Sequence, residues 1–156
     1  MDKSVAFTTL GCRLNQAESD VMVEDLAGVG FRPADRGEEP DLVVINTCTV
    51  TREATKASRQ AIRRAARAHP EAKVVVIGCY AVSDRAEVEA IEGVDVVLGN
   101  DEKESFVASL GAKIQTAPLL QIGAPRSSGG KPSGPARVRA NLKAQTGCDE
   151  WCSFCI

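Results

Sequence analysis

Short continuous apolar runs alternate along the chain with stretches whose apolar residues recur at helical spacing. Val5-Ala6-Phe7-Thr8-Thr9-Leu10 reads as a strand. Asn15 is placed to cap a helix, with Glu18 in the capping-box position three residues on. Val21, Met22, Leu26 and Val29 then follow at helical spacing, and Gly30 is placed to end that helix. Asp41 to Ile45 is a buried strand. Thr51 opens a long Ala/Arg helix that runs to about His69-Pro70. Lys73 to Ile77 is the next strand, Ser83 or Asp84 starts a short helix to Ile91, and Val94 to Leu98 is another strand. A last helix is expected from about Asp101 to Leu110.

Uninterrupted apolar strands separated by helices predict a parallel sheet buried on both faces. The expected fold class is α/β, a Rossmann or flavodoxin-like parallel sheet with helices on both faces, over residues 1–112. The texture changes after Gly111. Four of the seven prolines lie between Thr116 and Pro135, among Gly and Ser, so 113–135 reads as a linker. Arg137 to Ala144 then alternates as a new strand would, and 136–156 reads as the start of a second domain.

The 156 residues are 44% hydrophobic and 26% charged, enough to bury a core. A net charge of −2 makes no demand for nucleic acid, and 4% aromatic residues argue against a base-stacking RNA platform. Residues 1–9 lead straight into a strand, without a basic-then-apolar leader or an apolar run of membrane length. The expectation is a cytoplasmic protein with no membrane partner. Thiols stay reduced there, so six cysteines read first as metal or redox ligands.

Cys12, Cys48 and Cys79 each lie just past the end of a predicted parallel strand, in "TLGC", "VVINTC" and "VVVIGC". That edge of an open α/β sheet is where ligands bind. Gly11 and Gly78 precede two of them and permit a tight turn and a close approach. A single cysteine so placed is more often a small buried hydrophobe; three in matching positions point to a shared ligand. Zinc would want a fourth ligand, and His69, the sole histidine, sits where a helix C-cap belongs. An iron–sulfur cluster tolerates three thiolates with one iron left open. Cys148, Cys152 and Cys155 repeat the arithmetic in "GCDEWCSFCI". Only one C-x₂-C unit is present there, against paired zinc knuckles, and a thioredoxin-like pair leaves Cys148 unexplained.

The C-x₃-C-x₂-C spacing resembles the radical S-adenosylmethionine signature, with Phe154 at its aromatic position. The order of three cysteines, linker and this triplet resembles the methylthiotransferases. The matching stretches are "TLGCRLNQAESD", "INTCTVTREATKASRQAIRRA", "IGCYAV", "GNDEK" and "QTGCDEWCSFCI". "NTCTVT" with the following K-x-x-RQ-x-IRR, and "GCYA", look most like the branch acting on N6-threonylcarbamoyladenosine at tRNA position 37. Other branches act on isopentenyladenosine in tRNA or on an aspartate of ribosomal protein S12. The resemblance implies two 4Fe-4S clusters, one on Cys148, Cys152 and Cys155 and an auxiliary one on Cys12, Cys48 and Cys79. It implies S-adenosyl-L-methionine, with Phe154 near its adenine, and a 5′-deoxyadenosyl radical that abstracts hydrogen from adenine C2 before sulfur is delivered. tRNA and a flavodoxin- or ferredoxin-type electron donor are the implied partners. It also implies that the chain is the N-terminal fragment of a longer enzyme, stopping within its barrel and inactive alone. From the residues themselves, a two-cluster electron carrier and a zinc-stabilised α/β module stay open.

One feature stands apart from the resemblance. Arg52, Lys56, Arg59, Arg63 and Arg67 fall within an arc of about 80° at helical periodicity, with Ala54, Ala57, Ala61, Ala65 and Ala68 opposite. Residues 51–69 hold six Lys/Arg and one Glu, while the remainder holds 13 Lys/Arg and 20 Asp/Glu. A basic stripe on an acidic chain could meet RNA phosphate, or could be a solvated helix face.

Overall fold

The computed structural model describes residues 3–103, 105–114, 144 and 152–153. The elements run β1 (Lys3–Thr9), α1 (Arg13–Gly28), β2 (Phe31–Pro33), β3 (Leu42–Thr47), α2 (Arg52–Ala68), β4 (Lys73–Gly78), α3 (Cys79–Ser83), α4 (Arg85–Glu89), β5 (Val96–Val97), α5 (Asn100–Lys103) and α6 (Phe106–Lys113). All strand pairs are parallel and the order is β2-β1-β3-β4-β5. This is the flavodoxin-like order, with the chain reversing its direction of travel between β1 and β3.

Side chains alternate across the sheet and build two cores. Val5, Leu42, Val44, Val75 and Ile77 pack with Met22 and Leu26 of α1 and Phe106 and Leu110 of α6. Val43, Ile45, Val74 and Val76 pack with Ile62 of α2, Tyr80 of α3 and Val88 of α4. Helices therefore cover both faces, as the uninterrupted apolar strands predict. Each fully buried Leu or Ile stabilises by about 1.5–3 kcal/mol relative to exposure. Ile114 is also buried in the first core, so this packing reaches past residue 112.

Local physics explains where elements depart from the periodicity. β2 was not expected. It has three residues and ends in Pro33, which cannot donate to a ladder and is tolerated on a sheet edge. α1 starts without Asn15 as its cap: Cys12 holds the N-cap position in extended backbone, and Asn15 is buried inside the helix. Val29 then caps the helix and Gly30 follows at φ 94°, as its position predicts. The short helix expected from Ser83 or Asp84 is α4, with Asp84 at its N-cap, and it ends at Glu89, two residues short of Ile91. An additional short helix, α3, precedes it because Gly78 at φ 99° turns β4 straight into Cys79. The last expected helix divides into α5 and α6. α2 matches its prediction, with the Thr51 hydroxyl accepting Ala54 N–H at 3.1 Å and His69 as C-cap.

The alanine face predicted for α2 is displaced. Ser58 and Ile62 are its buried residues, with Ala61, Ala65 and Ala66 beside them, while Ala57 and Ala68 are exposed. The helix is rotated so that Arg59 lies against Tyr80. Of the strand expected at Arg137–Ala144 only Ala144 is described, exposed and outside any strand; the rest, and residues 115–135 of the expected linker, lie outside the described residues.

Candidate metal centre

Parallel strands share a direction, so the residues that follow β1, β3 and β4 gather at one edge of the sheet. Cys12 caps α1 and is exposed, Cys48 follows β3 and is buried, and Cys79 opens α3 and is half-buried. β1, β3 and β4 are neighbours, with Thr9 opposite Asn46 and Thr47 opposite Gly78 at their carboxyl ends. The edge between β1 and β3 is also the topological switch point, the place where open α/β sheets leave a crevice.

Two glycines let these ends close up. A β-carbon on Gly11 would lie 2.6 Å from Cβ and 2.9 Å from Sγ of Cys48. One on Gly78 would lie 2.3 Å from the Thr47 carbonyl oxygen. Both residues have positive φ, 94° and 99°, where an L side chain is strained.

A polar network fixes the loops from beneath. Asn15 donates from Nδ2 to the carbonyls of Leu10 at 2.8 Å and Thr47 at 3.0 Å, tying the end of β1 to that of β3. Asn46 Nδ2 donates to the Asn15 carbonyl at 3.0 Å and to Ser19 Oγ at 3.1 Å, while Thr9 donates to the same hydroxyl at 2.8 Å. Among the described residues, Asn46 Oδ1 is buried without a hydrogen-bond partner. Ser58 of α2 accepts the Cys48 N–H at 3.0 Å and donates to the Cys48 carbonyl at 2.7 Å. Asn46 and Ser58 carry no role in the sequence reading, and Asn15 carries there the role of a helix cap in place of this one. Asn15 and Asn46 stand within or beside the quoted motif strings, and Ser58 lies at helical spacing from Ile62; a polar residue in a buried stripe was the available signal.

The electrostatics of the edge centre on Cys79. Burial pushes its thiol up; Lys103 opposes this, and Cys48, Cys12 and Glu18 add to it. Cys12 and Cys48 thus both lie within electrostatic reach of Cys79. Lys103 pairs with Glu18 at 2.9 Å, with side chains only 7% and 11% exposed. Leu14, Val50 and Val82 are exposed large apolar residues, each two or three positions after one of the three cysteines.

The described cysteines are free thiols. Among the described residues, no group of three or more His, Cys, Asp or Glu side chains could hold a metal ion as they stand. The edge fits a thiolate-bound centre in donor chemistry and in its glycine-cleared approach, with the sulfurs not drawn into a closed ligand set. His69 is committed elsewhere, its Nδ1 standing 3.2 Å from Glu39. Of the second triplet, Cys152 is exposed; Cys148, Cys155 and Phe154 lie outside the described residues. Of the basic stripe, Arg52, Lys56, Arg63 and Arg67 are exposed, and Arg59 is drawn down onto Tyr80.

A model of the UPF0004 family, described as an uncharacterized protein family, matches residues 4–99, and so takes in Cys12, Cys48 and Cys79. The chain belongs to the UPF0004 family. This UPF0004 chain is also similar to curated methylthiotransferases, as its motifs predict. It is 37% identical to the threonylcarbamoyladenosine tRNA methylthiotransferase MtaB of Bacillus subtilis (strain 168), over 98% of this chain and 35% of that protein. It is 30% identical to the tRNA-2-methylthio-N(6)-dimethylallyladenosine synthase of Sorangium cellulosum (strain So ce56), over 97% of this chain and 34% of that protein. It is 30% identical to the ribosomal protein uS12 methylthiotransferase RimO of Chlamydia caviae, again over 97% and 34%. The UPF0004 chain spans about a third of the length of these relatives. Among its described residues no helix is long and apolar enough to cross a membrane.

Proposed function

We propose that this chain is the N-terminal part of a tRNA methylthiotransferase that adds a methylthio group to C2 of N6-threonylcarbamoyladenosine at tRNA position 37. The observation that carries the reading is the placement of Cys12, Cys48 and Cys79 at the carboxyl ends of three adjacent parallel strands. Support for the branch comes from identities of 33–37% to five MtaB proteins, against 30–32% to relatives of the other two branches.

In this reading Cys12, Cys48 and Cys79 would hold one 4Fe-4S cluster. Cys148, Cys152 and Cys155 would hold a second that binds S-adenosyl-L-methionine. Such clusters supply radical generation and sulfur donation, which no amino-acid side chain provides. The chain's own residues prepare the place. Ser58 and Asn15 fix the Cys48 and Cys12 loops through their backbones. Gly11 lets the backbone after β1 pass close against the Cys48 side chain, where a β-carbon would not fit. Lys103 sets a cation within electrostatic reach of Cys79, whose thiol must give up its proton to act as a ligand. Leu14, Val50 and Val82 rim the edge with apolar surface, which excludes water once covered.

The test is a nucleoside analysis. The whole reading frame that contains this chain is expressed in a bacterial strain lacking its own threonylcarbamoyladenosine methylthiotransferase, and tRNA digests are read by mass spectrometry. The expected product is 2-methylthio-N6-threonylcarbamoyladenosine. A methylthio group on isopentenyladenosine or on ribosomal protein S12 instead moves the protein to another branch. Iron-loaded protein that forms no methylthio product anywhere overturns the reading in favour of an electron carrier.

A further inference from the structure

Among the described residues outside α2, most cations are paired with a carboxylate. Arg32 pairs with Glu38, Lys73 with Asp95, Arg85 with Glu89, Lys103 with Glu18 and Lys113 with Glu102. On α2 the pattern inverts. Among the described residues only Arg59 has an acidic partner there, Glu87, and it also donates from Nε to the Tyr80 hydroxyl at 3.2 Å. Arg59 is therefore a tether between α2 and the segment that carries Cys79.

The remaining cations of the stripe face outward. Arg52, Lys56 and Arg63, with Thr55, Arg59 and Gln60, line an open depression of about 460 Å³. Arg63 and Arg67 continue into a groove of about 680 Å³ beside Ala90 and Gly93. From Arg52 to Arg67 the row is about 22 Å long at 1.5 Å per residue. Its Arg52 end lies at the sheet edge that holds the cysteines, because α2 begins four residues after Cys48.

We propose that this face of α2 is a track for consecutive phosphates of one RNA strand, with Arg52, Lys56, Arg63 and Arg67 as the contacts and Arg59 as the positioning residue that holds the helix to the cysteine edge. The proposal rests on the tRNA reading above and deepens it by naming the surface and where it leads: the Arg52 end of the row lies beside the cysteines and the Arg67 end away from them. A membrane surface is the other anionic partner a basic helix can meet. It is disfavoured because the apolar side of α2, Ile62 with Ala61, Ala65 and Ala66, is packed in the core and leaves nothing to insert.

Arg64 supplies the control. It is exposed and on the same helix, but stands about 60° beyond the edge of the stripe at helical periodicity. Binding of an unmodified tRNA transcript to the full-length protein is measured from low to moderate salt for R52Q/K56Q, R63Q/R67Q and R64Q, with circular dichroism to check folding. Each double variant is expected to reduce the slope of log affinity against log salt by about 0.7–0.9 per lost contact, and R64Q to leave it unchanged. Unchanged slopes in both doubles, or an R64Q effect equal to that of a stripe residue, overturns the track. So does stripe-dependent binding to phosphatidylserine vesicles with tRNA affinity unaltered. Methylthio formation with wild-type binding in the doubles removes the track alone; stripe-dependent tRNA binding without any methylthio product removes only the assigned activity.

Discussion

Ser58 holds both backbone groups of Cys48: its hydroxyl accepts the Cys48 N–H at 3.0 Å and donates to the Cys48 carbonyl at 2.7 Å. Ser58 is 0% exposed and Cys48 6%, so water cannot replace the hydroxyl. S58A leaves a buried donor and acceptor unpaired, at a cost of about 1–3 kcal/mol. Urea unfolding should show that loss with an unchanged m-value. Cys48 should also react faster with a thiol reagent, because its loop is released. An S58A protein with wild-type stability and thiol reactivity would show that the loop is held by packing alone.

Much of the fold is legible in the sequence because the signals are local and redundant. β3 and β4 are apolar enough to be buried on both faces, and α2 carries its own cap at Thr51. The gathering of Cys12, Cys48 and Cys79 at one sheet edge is legible for the same reason: each cysteine follows a strand, and parallel strands end together. What periodicity misses is set by tertiary partners. Asn15 has the look of a cap, but the carbonyls of Leu10 and Thr47 claim its side chain. Ser58 enters the core because Cys48 satisfies it, which rotates α2 away from its alanine face. β2 is three residues on an edge, too short to leave a pattern.

Lys103 and Glu18 bring the end of α5 onto α1 beside the cysteines, although 85 residues separate them. Removing one partner of a buried ion pair typically costs about 3–5 kcal/mol, because the other charge stays buried. K103M should approach the low end of that range, since both side chains keep slight solvent contact. The double variant E18Q/K103M should recover much of the loss. Chemical denaturation of the four proteins forms a double-mutant cycle. Equal costs for K103M and the double variant would mean that Lys103 acts through its packing and not its charge.

The β2 edge should respond to acid. The Arg32 side chain, then the Asp35 N–H, hold the Glu38 carboxyl down at about 2, against an ordinary value of 4.5. A carboxyl whose folded value is depressed contributes stability that is present above its unfolded value and is lost as pH falls through the folded one. The contribution of Glu38 should therefore be whole above about 4.5 and fade between there and about 2. The stability difference between wild type and E38Q, followed by urea unfolding across that range, should shrink toward zero. A carboxyl carbon resonance of Glu38 that titrates near 4.5 would remove the pair as an anchor of this edge.

The thiol edge itself is tested by metal content. In the full-length protein with Cys148, Cys152 and Cys155 replaced by alanine, Cys12, Cys48 and Cys79 remain as a cluster site, so anaerobic reconstitution should retain iron with matching acid-labile sulfide. Replacing any one of the three should lower both together, because each supplies a third of the thiolates. Gly11 offers a subtler probe. G11A adds no competing ligand, but its β-carbon would press on Cβ and Sγ of Cys48 at 2.6 and 2.9 Å, in backbone at φ 94°. The positive φ alone costs about 1–2 kcal/mol for a non-glycine residue, and the contact requires Cys48 to shift. G11A should thus lose iron while keeping every thiol, and lose it more completely than a substitution at Gly37, which also has positive φ but meets nothing within 4 Å. Iron at background level with all three thiols present would show that they bind no cluster together. Stoichiometric zinc without sulfide would make this edge a structural zinc site.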